Sequence, residues 1–253
     1  MKPPRRERVG VLGGTFDPVH AGHLAMARAA ERTCGLARVC FVPAPSPWHR
    51  RRPPLASYAD RYAMLALALN GRSNWLPLEV PDTPGRPTYT IDQLRWMRQH
   101  GWGERLYFIV GADSFATLPQ WHRWRELLAR CDWVVLGRGA GKRLPDVVPA
   151  NMITQARQDG LRLRGGTRLH WLPDFAQPVS ASSARQALRE GGAGALGVPS
   201  AAERQDGVND AVRRLRAQPR PASRPTIARK RSAAVPAAVA RYIQRAGLYQ
   251  LHE

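Results

Sequence analysis

The chain has 253 residues, 43% of them hydrophobic, enough for one large α/β domain or two small ones. No uninterrupted apolar run reaches the ~18 residues of a membrane span, and the Met1-Lys-Pro-Pro-Arg-Arg start has no signal-peptide core, so a cytoplasmic location is expected. A net charge of +20 rests almost wholly on arginine, the only lysines being Lys2, Lys142 and Lys230. Arginine grips phosphate in a planar fork, so a polyanionic ligand is expected, although a general bias of composition toward arginine would account for the residue type equally well. Cys34, Cys40 and Cys131 are odd in number and lack Cys-x-x-Cys spacing, which reads as buried or free thiols of a reducing compartment.

In chain order, Arg8-Val-Gly-Val-Leu12 is a short apolar run that predicts a buried strand, and Leu24 to Glu31 is rich in helix formers. The stretch between them, Gly13-Gly-Thr-Phe-Asp-Pro-Val-His-Ala-Gly-His-Leu24, is therefore a strand-to-helix turn, where open parallel sheets hold phosphate groups. Gly13 and Gly14 leave no Cβ in the way of an anion, and His20 and His23 share one face of a helix that starts near Val19. Ala37 to Pro43 predicts a second strand, followed by a proline-rich loop, 44–54, that carries His49 and Arg50. Ser57 caps a helix over 58–69, Trp75 to Val80 is a third strand, and Thr90 caps a helix that ends at His100-Gly101. Leu106 to Val110 predicts strand four, Trp121 to Arg130 a helix, Cys131 to Leu136 strand five and Arg168 to Leu172 strand six. Ser182 caps a helix from Ser183 to Arg189, stopped by Gly191-Gly192.

Strands that alternate with helices imply an α/β fold, a Rossmann-like doubly wound parallel sheet with helices on both faces. Active residues then belong just past the carboxyl ends of the strands. The expected organisation is an α/β domain over 1–195, an insert over 196–234, and a C-terminal helix over 235–253 that completes the same domain. The insert has nine basic and three acidic residues and scattered prolines, a composition with too little apolar surface to order itself beyond one short helix.

The turn lacks both the Gly-x-Gly-x-x-Gly of dinucleotide folds and the Gly-Lys-Ser/Thr of P-loops. A phosphate turn with two histidines and no evident nucleophile suggests phosphoryl or nucleotidyl transfer by direct displacement. His20 and His23 would donate to the α-phosphate as charge builds there. If the attacking group is itself a phosphate, no general base is required. Ser180-Ala-Ser-Ser-Ala-Arg185 offers a second anion site at a helix start, with Arg185 reaching the leaving phosphates. Two histidines beside Asp17 could instead bind a metal, but they match no familiar ligand spacing.

The Gly-x-Phe-Asp-Pro-x-His-x-Gly-His run resembles the signature of the nucleotidyltransferase superfamily of adenylyl and cytidylyl transferases. Pro87-Thr-Tyr-Thr90, Gly111-Ala-Asp-Ser114, Leu118-Pro-Gln-Trp121 and Tyr242-Ile-Gln-Arg-Ala-Gly-Leu-Tyr249 extend the resemblance to the bacterial nicotinate mononucleotide adenylyltransferases. It covers the whole chain apart from the first few residues and the insert. It implies a nucleotidyltransferase-type fold and transfer of AMP from ATP to nicotinate mononucleotide in NAD biosynthesis, with Mg2+ carried on the ATP phosphates. It further implies that Gly13, Gly14, Thr15 and Phe16 line the phosphates, that Gly111 and Asp113 hold the adenosine ribose, and that Ser180, Ser182 and Arg138 lie near ATP. Arg50, Tyr89, Thr90 and His122 would surround the mononucleotide, and Trp121 would stack on its pyridine ring. The chain departs from the pattern at Ser182, where the family has threonine, and at Gly137, where a second arginine can occur. The phosphopantetheine adenylyltransferases share the turn but are shorter and lack the Leu-Pro-Gln-Trp segment. A nucleic-acid-binding protein is the rival suggested by charge alone, without interleaved aromatics or a known module.

Overall fold

The computed structural model describes residues 7–45, 53–81, 87–103, 105–137, 144, 146–173, 175, 180–195 and 234–249. Arg50, Arg138 and the insert from 196 to 233 lie outside the described residues. Period-two alternation builds the sheet. Val39, Phe41, Tyr107, Ile109, Val134 and Leu136 face one hydrophobic core, while Cys40, Val42, Leu106, Phe108, Trp133 and Val135 face the other. Strands buried on both faces must be covered by helices on both, and they are.

The strands are β1 (Arg8–Gly14), β2 (Arg38–Pro43), β3 (Trp75–Pro77), β4 (Arg105–Gly111), β5 (Asp132–Leu136), β6 (Ile153–Arg157), β7 (Gly160–Leu163) and β8 (Arg168–Leu172), in the order β3-β2-β1-β4-β5-β8-β7-β6. From β3 to β8 every pair is parallel. β6 and β7 form an antiparallel extension, so the sheet is mixed rather than wholly parallel. Four of the five residues of β6 are exposed, so it carries none of the apolar alternation that reveals a strand. Strand order reverses between β1 and β4, and the crevice of a doubly wound sheet opens at such a switch point.

The helices are α1 (Ala21–Cys34), α2 (Tyr58–Leu69), α3 (Thr90–Gln99), α4 (Ala112–Phe115), α5 (Trp124–Arg130), α6 (Ala181–Ala195) and α7 (Ala237–Arg245), with a 3-10 turn at Leu118–Gln120. The Ser57 Oγ caps α2 by accepting the Asp60 N–H at 3.1 Å, as expected. Several boundaries differ from the expectation. β3 ends at Pro77 rather than Val80. Thr90 is the first helical residue of α3, and extended Tyr89 is the cap. The segment 121–130 is not one helix, because Arg123 takes a left-handed φ of 53° and α5 begins only at Trp124. In α6 the cap is Ser180, whose Oγ accepts the Ser183 N–H at 3.1 Å, so Ser182 lies inside the first turn. Gly191 and Gly192 do not stop α6, which continues to Ala195.

α7 lies against α2, with Val239, Ala240 and Ile243 in the core shared by α1 and α2. The Ala234 carbonyl accepts the Ala21 N–H at 2.9 Å, and the Tyr242 hydroxyl donates to Asp60 Oδ1 at 2.8 Å. All three cysteines are buried thiols, and burial pushes those of Cys34 and Cys40 up to about 12, which leaves them unreactive. Among the described residues no helix is long and apolar enough to cross a membrane.

Candidate active site

The turn after β1 stands at the switch point. Phe16 carries it, with a left-handed φ of 52° and 1% exposure, a conformation that a bulky side chain adopts only when its surroundings hold it. A Cβ at Gly14 would lie 3.1 Å from the Phe16 ring, so the glycine lets that ring fold back under the turn. The ring also meets His23 edge-on at 4.8 Å and Phe41 at 6.0 Å. Phe16 can therefore face a ligand only through its backbone, and the Thr15 side chain, 7% exposed, is almost as enclosed.

The chain leaves the turn directly into α1. His20 is its extended N-cap and His23 its third residue, so the two imidazoles stack at 3.7 Å. His23 Nδ1 accepts the His20 N–H at 3.3 Å. An accepting Nδ1 places the proton of a neutral ring on Nε2. The histidines thus sit at a helix start, where backbone N–H groups and the dipole favour an anion.

Two buried groups brace the turn from behind, and neither was assigned a role from sequence. Arg61, 1% exposed, donates from Nη1 to the Thr15 and Ala44 carbonyls, both at 2.8 Å, and from Nη2 to the Pro45 carbonyl at 3.1 Å. Its signal was available: Arg61 shares the buried stripe of α2 with Met64, Leu65 and Leu69, and a charge on an apolar face calls for buried acceptors. Asp17, 3% exposed, accepts the Leu55 N–H at 2.9 Å, the Ala56 N–H at 3.2 Å and the Tyr249 hydroxyl at 2.6 Å. Its own carbonyl accepts Arg185 Nη1 at 2.6 Å. Burial, and then this bond to Asp17, push the Tyr249 phenol far above its ordinary pKa.

Arg185 brings the second anion motif to the first, across 168 positions of chain. Its Nη2 approaches Ser182 Oγ at 3.4 Å, and Ser180 caps the same helix start. On the far side of the crevice β4 ends at Gly111, a Cβ there would meet nothing within 4 Å, and exposed Asp113 follows in α4. The Phe108 ring connects the two sides: a Cβ at Gly13 would lie 3.4 Å from it, and it meets Trp121 edge-on at 6.0 Å. Trp121 is half-buried, and its Nε1 donates to Thr117 Oγ1 at 3.1 Å. Thr117 in turn donates to the Ser114 carbonyl at 2.8 Å. Tyr89 and His122 stack at 4.0 Å, which joins the start of α3 to the residue after Trp121. At Gly137 a Cβ would fall 2.6 Å from the Pro173 carbonyl oxygen, so no side chain fits at this position unless that backbone shifts.

The cytidylyltransferase-like family matches residues 11–187, a span from β1 into α6 that includes every described residue of this site except Tyr249. The chain belongs to this family, on its nicotinate-nucleotide adenylyltransferase branch. It is 40% identical over 190 residues to a probable nicotinate-nucleotide adenylyltransferase of Gloeobacter violaceus, covering 74% of this chain and 87% of the relative. A protein of the same name in Pseudomonas fluorescens is 38% identical over 201 residues, covering 77% and 92%. The fold is shared with the nicotinic acid mononucleotide adenylyltransferase of Plasmodium falciparum, solved in complex with NaAD, at a TM-score of 0.60 and 14% identity over 96% of this chain and 97% of that one. The chain is thus a nucleotidyltransferase.

Proposed function

We propose that the enzyme transfers AMP from ATP to nicotinate mononucleotide by direct in-line displacement, giving nicotinate adenine dinucleotide and pyrophosphate. The observation that carries this reading is the contact of Arg185 with the Asp17 carbonyl, which joins both phosphate-binding motifs in one crevice. A phosphate oxygen of the mononucleotide attacks the α-phosphorus of ATP as the bond to the bridging oxygen of the β-phosphate breaks. The attacking phosphate is largely ionised at neutral pH, so no protein base takes part. His20 and His23 donate to the α-phosphate oxygens as charge builds in the transition state, and Arg185 draws the leaving pyrophosphate.

The remaining assignments follow the crevice. The backbone of Gly13 to Phe16, with Ser180 and Ser182, faces the triphosphate, and Gly111 and Asp113 hold the ribose. Trp121 stacks on the pyridine ring, with Tyr89, Thr90 and His122 around its carboxylate. Arg50 and Arg138 are assigned to the mononucleotide phosphate and to ATP from the sequence. ATP is used as its Mg2+ complex, with the ion held by phosphate oxygens. Among the described residues no three His, Cys, Asp or Glu side chains come together as a metal cage. Residues 1–195 and 235–253 form one catalytic domain, interrupted by the insert.

The test is pyrophosphate release from ATP across a panel of acceptors: nicotinate mononucleotide, nicotinamide mononucleotide, phosphopantetheine and none. Release that depends on nicotinate mononucleotide supports the reading, and release with phosphopantetheine alone overturns it.

A further inference from the structure

We propose that Tyr249 is a positioning residue for adenylyl transfer: it holds Asp17, and through Asp17 it fixes the place of Arg185 over the phosphate turn. The inference rests on the function proposed above and adds a residue that lies outside the family-matched span of 11–187.

The local sequence explains why a tyrosine so far along the chain reaches the turn. α7 ends in a left-handed Gly247 with φ of 62°, and the Leu248 N–H returns to the Ile243 carbonyl at 3.1 Å. This glycine-terminated cap reverses the chain at the helix end. Tyr249 follows with a left-handed φ of 65°, costly for a residue with a Cβ, and is only 8% exposed. A strained, buried tyrosine is retained where its contacts hold it, and the contact here is the 2.6 Å bond to Asp17 Oδ1 across 232 positions.

Asp17 is shared among three segments. Its carboxylate accepts Leu55 and Ala56 from the approach to α2, together with Tyr249, while its carbonyl accepts Arg185 from α6. Oδ2 is tied by Leu55 at 2.9 Å, whereas Oδ1 has only the longer 3.2 Å bond from Ala56 beside the 2.6 Å bond from Tyr249, so the phenol is the stronger hold on that oxygen and steadies the peptide that carries the acceptor for Arg185. Removing the phenol hydroxyl takes away one of those ties without touching any group assigned to substrate. Loss of alignment costs rate more than ground-state affinity.

The experiment uses the full-length enzyme with Tyr249→Phe, Arg185→Ala and the double variant, read by steady-state pyrophosphate release. Tyr249→Phe is expected to lower kcat about tenfold, with KM for both substrates within about twofold. In the Arg185→Ala background the same change is expected to lower kcat by less than about twofold, because Tyr249 acts through the missing arginine. Equal losses in both backgrounds, or an unchanged kcat in Tyr249→Phe, would overturn the positioning role. Should Tyr249→Phe lose the fold by circular dichroism, Asp17→Asn takes its place in the cycle under the same criteria. If unmutated enzyme fails to turn over nicotinate mononucleotide, the proposed function falls and this inference with it. Activity in the unmutated enzyme with additive losses sinks the positioning role alone.

Discussion

The proposed mechanism gives His23 two separable tasks, and one substitution series resolves them. Its Nδ1 accepts the His20 N–H at 3.3 Å, which closes the start of α1, while under that mechanism the proton on Nε2 would be the one offered to the α-phosphate. His23→Ala removes both. Loss of a donor that acts in the transition state lowers kcat by about 10²- to 10³-fold, or about 2.7–4 kcal/mol. Loss of the cap costs about 1 kcal/mol of stability, which lowers Tm by roughly 2–4 °C in a domain of this size. His23→Asn places an amide oxygen near the former Nδ1 and nothing at Nε2. It should therefore restore Tm while kcat stays about 10²-fold down and KM is little changed. Steady-state pyrophosphate release and scanning calorimetry read the two effects. An asparagine variant with kcat within a few-fold of the unmutated enzyme, or a loss seen only in KM, would refute the catalytic assignment.

Asp17→Ala strands the Leu55 and Ala56 N–H groups and the Tyr249 hydroxyl. At about 1–3 kcal/mol for each buried orphan, Tm should fall by at least about 6 °C; a fall under about 2 °C in a thermal melt would contradict the bracing role. Thr117→Val removes the acceptor of the Trp121 indole N–H, and at ~1 kcal/mol it should raise KM for the mononucleotide about fivefold with KM for ATP unchanged. Thr90 opens α3, where N–H groups favour a carboxylate over an amide. Two opposed donors would make kcat/KM for nicotinate mononucleotide on the order of 10²- to 10⁴-fold that for nicotinamide mononucleotide, and equal values would refute this pocket. Burial holds the His170 imidazole below its ordinary value of 6.5, so below that pH the unfolded chain binds a proton that the folded chain resists. Stability should fall as pH drops through 6.5 and level off above it, and His170→Phe should lessen the fall in melts recorded from pH 5 to 8.

The parallel sheet and the phosphate turn were legible because both are local. β1, β2, β4 and β5 are apolar runs, and Gly13 to His23 is one contiguous motif. The hairpin of β6 and β7 was missed because β6 is an exposed edge, and because its key device, Gly160, shows only in three dimensions. A Cβ at Gly160 would lie 1.8 Å from the Leu169 carbonyl oxygen, so only glycine lets β7 pair there. The break at Arg123 was hidden because an arginine gives no turn signal, and its left-handed φ of 53° shows only in the folded backbone. Tyr249 and Asp17 were each visible as residues, but their bond spans 232 positions and no spacing rule reaches that far. Arg61 is the one bracing residue that a stricter reading of the apolar stripe of α2 would have found.

The most direct measurement of the central claim is a quenched single turnover with ATP labelled on the α-phosphate and nicotinate mononucleotide in excess. Direct transfer predicts that all consumed label passes into nicotinate adenine dinucleotide, one pyrophosphate appearing for each, with no label on denatured protein at any time. Label held on the protein before product forms, or consumed equally without the mononucleotide, would contradict it.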